Sequence, residues 1–411
     1  MPGAGVELRE RVRRLPGMDR LLPALEGLPP AYLVGGAVRD LLRGAAAVDL
    51  DIAIEGDARS VARALAERLS GVVREHERFG TATVRAGDLV FDLATTRRET
   101  YDEPGALPRV REATLDEDLS RRDFSINAMA VGLTGDDVGH LYDPCGGLPD
   151  VEEGVVRVLH DRSFLDDPTR LLRAVRYEVR LGFHMDAATE ALARAAAAGN
   201  APRTVSGARI RDELMDLLRE AHAPAGVRRM HDLGLDRALH PALGADPELV
   251  ASASLGAAAI GADRALAALA ALCAGAPRRI ERWVADLHLT AAARDAVARA
   301  ARRGPVLAAE LRGRDHQPSQ LRALLGPEPP LSLALALAMG APSEPILRWV
   351  TELGRVRLDI TGEDLLAAGV PEGRALGRAL DETLNRKLDG LVSGREEELE
   401  TAITLARETT P

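Results

Sequence analysis

Residues 32–56 read YLVGGAVRDLLRGAAAVDLDIAIEG. YLVGG reads as a strand ending in a glycine pair, AVRDLLRG as a short helix closed by Gly44, and VDLDIAI as a second strand. That second run is apolar except for Asp49 and Asp51. Ionised carboxylates in such a run are costly unless they are paired or hold a metal. Residues i and i+2 of a strand project to the same side, roughly 7 Å apart along the chain. Asp49 and Asp51 on one side suit a pair of hard divalent ions such as Mg²⁺, shared with substrate phosphates. For an isolated Asp-x-Asp, the alternative is an edge strand with one solvated face.

The residues upstream favour the first reading. Gly35 and Gly36 carry no Cβ, so a ligand can approach the backbone closely. The helix that follows directs its first amides outward, where a phosphate is favoured, and Arg39 adds a cation on the first turn. A phosphate cradle followed a dozen residues later by metal carboxylates describes a nucleotidyl-transfer site. Asp92, in the strand-like LVFDLATT, is a third carboxylate. Two roles are open to it, a further metal ligand or the general base, besides a place on an exposed sheet face.

The chain of 411 residues suggests two to four domains. Aromatics are scarce, so Ala, Leu and Val must fill the cores. Cys145 and Cys273 form neither a zinc pattern nor a disulfide framework, and a reducing cytoplasm is the expected setting. The first residues lack the apolar stretch of a signal peptide, and no segment is long enough to span a bilayer. The net charge of −10 argues against a general nucleic-acid binder. Locally the balance reverses: from Arg157 to Arg211 there are ten arginines against six acids.

After residue 56, Asp57 is a plausible N-cap for a helix with the stripe Val61, Leu65 and Leu69. TATVRAGDLVFDLATT reads as two strands joined at residues 86–88. An α/β or α+β domain follows from this order. Beyond residue 155 the pattern turns helical. Asp167-Pro168 is a helix start, with Leu171, Leu172, Val175 and Val179 as its apolar stripe. GRDHQPSQ (313–320) and GPEPP (326–330) are the clearest connectors in the helical remainder.

Two further stretches carry chemistry. In DLSRRDFSINAMA (118–130), arginines suit a triphosphate, and Asp123 or Asn127 can accept from a ribose hydroxyl. A surface salt-bridge cluster is the alternative. In SFLDDPTRLLRAVRYEVRLGF (163–183), Arg170, Arg173, Arg176 and Arg180 recur at spacings of three and four, on one helical face. Such a ridge needs anions, from a ligand or from Glu178 and neighbouring acids. Asp167 and Arg170 can also pair with the edge of a nucleobase, because Arg donates and Asp accepts.

GGAVRD…DLD, RRDFSINAMA and DDPTRLLRAVRY, in this order, resemble the successive motifs of the class II tRNA nucleotidyltransferase and bacterial poly(A) polymerase family. The resemblance runs from about Leu33 to Phe183. It is weaker through VSGARIRDEL (205–214) and ITGEDLLAAGV (360–370). It implies an α+β fold, with a polymerase-β-like nucleotidyltransferase head (1–150) followed by an all-α neck (151–220) and an all-α body and tail (221–411). It implies that Asp49 and Asp51 hold Mg²⁺, and that Gly35, Gly36 and Arg39 meet the incoming triphosphate. Arg122, Asp123 and Asn127 would serve phosphate and ribose. Asp167 and Arg170 would select ATP or CTP through the base, with Arg173 and Arg176 as further contacts. The expected partners are ATP, CTP and the 3′ end of tRNA, whose elbow the tail would hold by shape and backbone. The family often has Glu where Asp166 and Asp92 stand and Thr where Ser125 stands, which leaves the role of Asp92 open. YDEPGALPRVREATLDEDL (101–119) falls where relatives carry a flexible loop that helps decide between CCA, CC and A addition. PGALP and RVLHDRSFLDDPTR are closer to the A-adding relatives.

Overall fold

A computed structural model describes residues 2–45, 50–76 and 80–408. Asp49 lies outside the described residues. The opening stretch folds as read: β1 (Ala31–Val34), the helix Gly36–Leu42 and β2 (Leu50–Ile54). β3 (Val72–His76), β4 (Thr81–Ala86) and β5 (Leu89–Thr95) follow, with Gly87 at φ +69° in the turn between the last two. β6 (Arg97–Thr100) and β7 (Arg109–Glu112) form a separate antiparallel pair. β8 (Ala130–Gly132) and β9 (Leu141–Tyr142) complete a seven-stranded sheet of order β3-β4-β5-β2-β1-β8-β9.

Within this sheet β2 and β5 run parallel, and the other pairings are antiparallel. The two-residue alternation of a strand sorts its side chains. Ile52, Ile54, Val84, Phe91 and Leu93 are buried on one face. They pack with the Ala58–Arg68 helix, whose Val61 and Leu65 are also buried. Asp57 caps that helix by accepting from the Arg59 amide. Asp51, Thr83 and Asp92 fall on the opposite face.

The chain divides into two compact units. One comprises residues 1–222 and 229–239, the other residues 223–228 and 240–411. The expected head and the expected neck thus lie in one unit. The neck stretch is mostly helical, with a two-residue parallel pairing of Val155–Val156 with His184–Met185 and an isolated antiparallel bridge of Val158 with Phe124.

The second unit is helical throughout its described residues. In the Arg264–Cys273 helix, Ala265, Ala267, Ala268, Ala270 and Ala271 are all buried, as the scarcity of aromatics requires. Helices there approach closely through small residues. A Cβ on Gly256 would stand 2.8 Å from the Ala334 carbonyl, and one on Gly304 would meet the Leu335 side chain. Lys387 lies between Asp359 (2.9 Å) and the buried Glu398 (2.6 Å). No helix among the described residues is long and apolar enough to cross a membrane. LSLALALA instead forms the buried helix Pro330–Ala338.

Candidate active site

The parallel pairing of β2 with β5 sets Asp51 directly beside Asp92, and Asp92 in turn is the register partner of Thr83 on β4. Adjacent strands are about 4.8 Å apart, so the two carboxylates sit on one face at a distance a bridging cation can span. Thr83 Oγ1 donates to Asp92 Oδ1 at 2.5 Å and fixes that oxygen. Oxygen-only donors on one exposed face fit a hard divalent ion. Among the described residues no group of three or more metal-ligating side chains forms, and Asp49 is outside them.

Asp51 borders two cavities. The larger, about 610 Å³, is lined by Gly35, Gly36, Arg39, Arg122, Asp123, Asn127, Asp167, Arg170 and Arg173, among others. The second, about 420 Å³, is lined by Asp92 with His76, Thr81 and Thr83. The fold therefore gathers every described site residue read from the sequence except Asp92 and Arg176 into the larger cleft. Asp92 stands next to it, on the far side of Asp51.

Gly35 has φ +69° and ψ −135°, a backbone open to glycine alone. A Cβ there would also stand 3.0 Å from Arg122 Nη1. Gly35→Ala is expected to weaken triphosphate binding about tenfold and to lower stability by about 1–2 kcal/mol, because the backbone must relax and displace Arg122. Titration of ATP and CTP against the variant, with a thermal melt, checks both effects.

Arg39 is buried. Its Nε and Nη2 donate to the two oxygens of Asp40 (2.9 and 3.0 Å), and Nη1 donates to Asn127 Oδ1 at 2.7 Å. Its guanidinium also lies over the Tyr177 ring. Arg39 thus lines the cleft as a charge already matched by Asp40, and it orients Asn127. The network continues inward. Asn127 Nδ2 and the Phe124 amide donate to Asp123 Oδ1, and Arg173 donates twice to Asp123 Oδ2 (2.9 and 2.6 Å). Burial pushes the Asp123 carboxyl up, but Arg173 and Asn127 more than reverse this and hold it below the usual carboxylate range.

Sequence reasoning missed Asp118, which organises the other arginines. It is buried on the Leu115–Ser120 helix and accepts from Arg121 (2.7 Å) and Arg122 (2.9 Å), three and four residues on. Burial pushes its carboxyl up, and the two guanidiniums outweigh that and lower it. The i, i+3, i+4 spacing of one acid and two arginines was the available signal. Arg122 keeps a buried Nε with no hydrogen-bond partner among the described residues.

The neck helix spans Arg170–Leu181. It starts later than the Asp167-Pro168 signal suggests, because a tight turn comes first, in which Asp167 Oδ1 accepts from the Thr169 amide and hydroxyl. Arg170 is locked by donation to Ser163 Oγ (2.7 Å) and to the Arg121 carbonyl (2.8 Å). Two arginines of the ridge, Arg173 and Arg176, meet anions within the protein, whereas Arg180 lines the cleft. On the Gly207–Arg219 helix Glu213 accepts from Arg173, and Asp216 accepts from Arg176 together with Glu220 just past the helix end. Arg176 does not line the cleft. Glu178 faces Arg229 rather than the ridge.

A family model for the poly A polymerase head domain matches residues 31–157, and one for the probable RNA and SrmB-binding site of polymerase A matches 182–246. The A-adding tRNA nucleotidyltransferase of Halalkalibacterium halodurans is 46% identical over 51% of this chain and 49% of its own. The CC-adding tRNA nucleotidyltransferase of Deinococcus radiodurans is 35% identical over 89% of this chain and 87% of its own. A CCA-adding enzyme solved in complex with CTP aligns with a TM-score of 0.82 at 29% identity, covering 99% of both chains. The first curated relatives are longer, and the chain spans about half of their length or less. Fold and site together define a nucleotidyltransferase head joined to helical segments. The chain belongs to the class II tRNA nucleotidyltransferase and poly(A) polymerase family.

Proposed function

We propose that this protein is a template-independent nucleotidyltransferase that extends the 3′ end of tRNA from CTP or ATP. The product is CCA or part of it, and the terminal A is the favoured step. The observation that carries the reading is Asp51 in register with Asp92, at the junction of a cleft that also holds Gly35, Arg122, Asp167 and Arg170. Over about half of the chain the identity to an A-adding relative (46%) exceeds that to a CC-adding one (35%), which supports the choice of A, whereas over about nine tenths of the chain the two kinds are level at 33% and 35%.

In this mechanism the tRNA 3′-oxygen attacks the α-phosphorus. The bond from that phosphorus to the bridging oxygen of the β-phosphate breaks, and pyrophosphate leaves with the electron pair. The hydroxyl proton passes to a carboxylate of the Asp51–Asp92 row or to water. Mg²⁺ held by Asp49 and Asp51, with Asp92 beside Asp51, would when bound lower the pKa of the attacking hydroxyl and neutralise developing charge. Gly35 gives the triphosphate close access to the backbone, and Arg122 supplies a cation. Asp123, Asn127 and Arg173 form the ribose wall. Asp167 and Arg170 read the base edge, the carboxylate accepting and the guanidinium donating. A tRNA substrate agrees with the cytoplasmic setting expected from the sequence.

The test supplies tRNA ending before CCA, after one C, or after CC, with CTP, ATP or both, and sequences the products. Addition of a single A to tRNA ending in CC is the expected result. A homopolymeric A tail on unrelated RNA would instead assign the chain as a poly(A) polymerase. Binding without incorporation on any substrate would leave a non-catalytic RNA-binding relative.

A further inference from the structure

Arg209, near the start of the Gly207–Arg219 helix, lines the nucleotide cleft and bridges two segments far apart in sequence. Its Nη2 lies 2.8 Å from Asp167 Oδ1, and its Nη1 donates to the Gly105 carbonyl at 3.4 Å. Asp167 Oδ1 also accepts from the Thr169 amide and hydroxyl. Three donors thus converge on one oxygen, which leaves Oδ2 to accept from a ligand. Gly105 is seated just as closely. Its amide donates to the Leu165 carbonyl at 3.1 Å, its φ is +72°, and a Cβ would stand 2.2 Å from Thr204 Oγ1. The backbone at Gly105 is therefore docked on Leu165, Thr204 and Arg209.

We propose that Arg209 is a positioning residue for nucleobase selection. It aims the Asp167 carboxylate, and its own place is set by donation to the Gly105 carbonyl. This rests on the reading of Asp167 and Arg170 as the base-selecting pair. The forked guanidinium matters, because it reaches two acceptors at once, which an ammonium cannot do with the same fixed geometry.

The experiment measures kcat/KM for ATP and for CTP on tRNA ending in CC, in the wild type, Arg209→Gln, Arg209→Lys and Gly105→Ala. The ATP-to-CTP ratio is independent of the fraction of folded enzyme, so a purely structural role would not move it. Arg209→Gln is expected to reduce the ratio about tenfold, the scale of a lost hydrogen bond to a charged group. Arg209→Lys should restore part of it, and Gly105→Ala should shift it in the same direction as Arg209→Gln. In an Asp167→Ala background, Arg209→Gln should add nothing. Equilibrium dialysis of ATP and CTP separates two failures. A changed binding ratio without any wild-type incorporation would keep the role of Arg209 and remove the transfer reading. An Arg209→Gln ratio unchanged in both binding and turnover overturns the proposal, whatever happens to the melting temperature.

Discussion

Asp51→Ala is expected to lower nucleotide incorporation by at least about 10³-fold, the scale on which removal of a preorganised transition-state stabiliser acts. Stability should hardly change. Asp51 is exposed on the open face of the sheet, where substitutions typically stay within about 0.5 kcal/mol. It also stands beside Asp92, and like charges directly opposite on neighbouring strands are unfavourable, so its loss relieves some repulsion. Asp51→Asn keeps the shape and removes the charge, and it should be as inactive as the alanine variant. Single-turnover incorporation assays with a parallel thermal melt provide the check. A folded Asp51→Ala protein with wild-type incorporation would sink the catalytic assignment of this face.

Arg173→Ala is expected to have the largest effect on stability, a loss of about 3 kcal/mol at neutral pH. Asp123 is buried and gives Oδ2 wholly to Arg173. Removing that guanidinium leaves a buried carboxylate with only the Phe124 amide and Asn127, both on Oδ1.

The pH dependence gives the loss a second signature. In the wild type the Asp123 pKa is depressed on folding. Its contribution is therefore present above the unfolded carboxylate value of about 4, and it is lost as pH falls through the folded value. Without Arg173, burial acts with less opposition and the folded pKa moves up. The sign then reverses, and the variant loses stability as pH rises through the ordinary carboxylate range. The deficit should thus be widest at pH 7 and should narrow below about pH 4. Denaturant unfolding of both proteins at the two pH values measures it. An equal deficit at both would mean that Arg173 acts through packing alone.

Much of the head was legible because its signals are local. Gly35, Gly44, Asp57 and the turn at Gly87 are backbone requirements that a residue type announces by itself. Alternation told which strand residues share a face, and on that ground Asp51 could be named. Helical spacing likewise placed Arg170, Arg173 and Arg176 on one face. It could not say what that face would meet. Asp123 meets Arg173 from 50 residues earlier, and the other acids that meet Arg173 and Arg176 lie some 40 residues on, at Glu213, Asp216 and Glu220, where one-dimensional spacing carries no sign of them. That is why Arg176 reads as a nucleotide contact in the sequence and as an ion pair in the fold.

Asp118 shows the opposite case. Its spacing to Arg121 and Arg122 was visible, but only burial makes it the hub of the pair. Arg209 shows a third. Nothing near it in sequence points to Asp167 or Gly105, and its importance comes from two contacts over separations of 42 and 104 residues.

By itself the sequence determined the elements of the head, the exposed strand carboxylate at Asp51 and the family, since these rest on residue type, short-range periodicity and motif order. The tertiary structure decided which charges are spent inside the protein and which remain for a ligand. Matching a charge depends on what packs against it, and strand register and helix pairing set that across distances the chain order does not encode. Register brought Asp92 beside Asp51, helix pairing took Arg176 out of the cleft, and the packing of the Gly207–Arg219 helix placed Arg209 on Asp167.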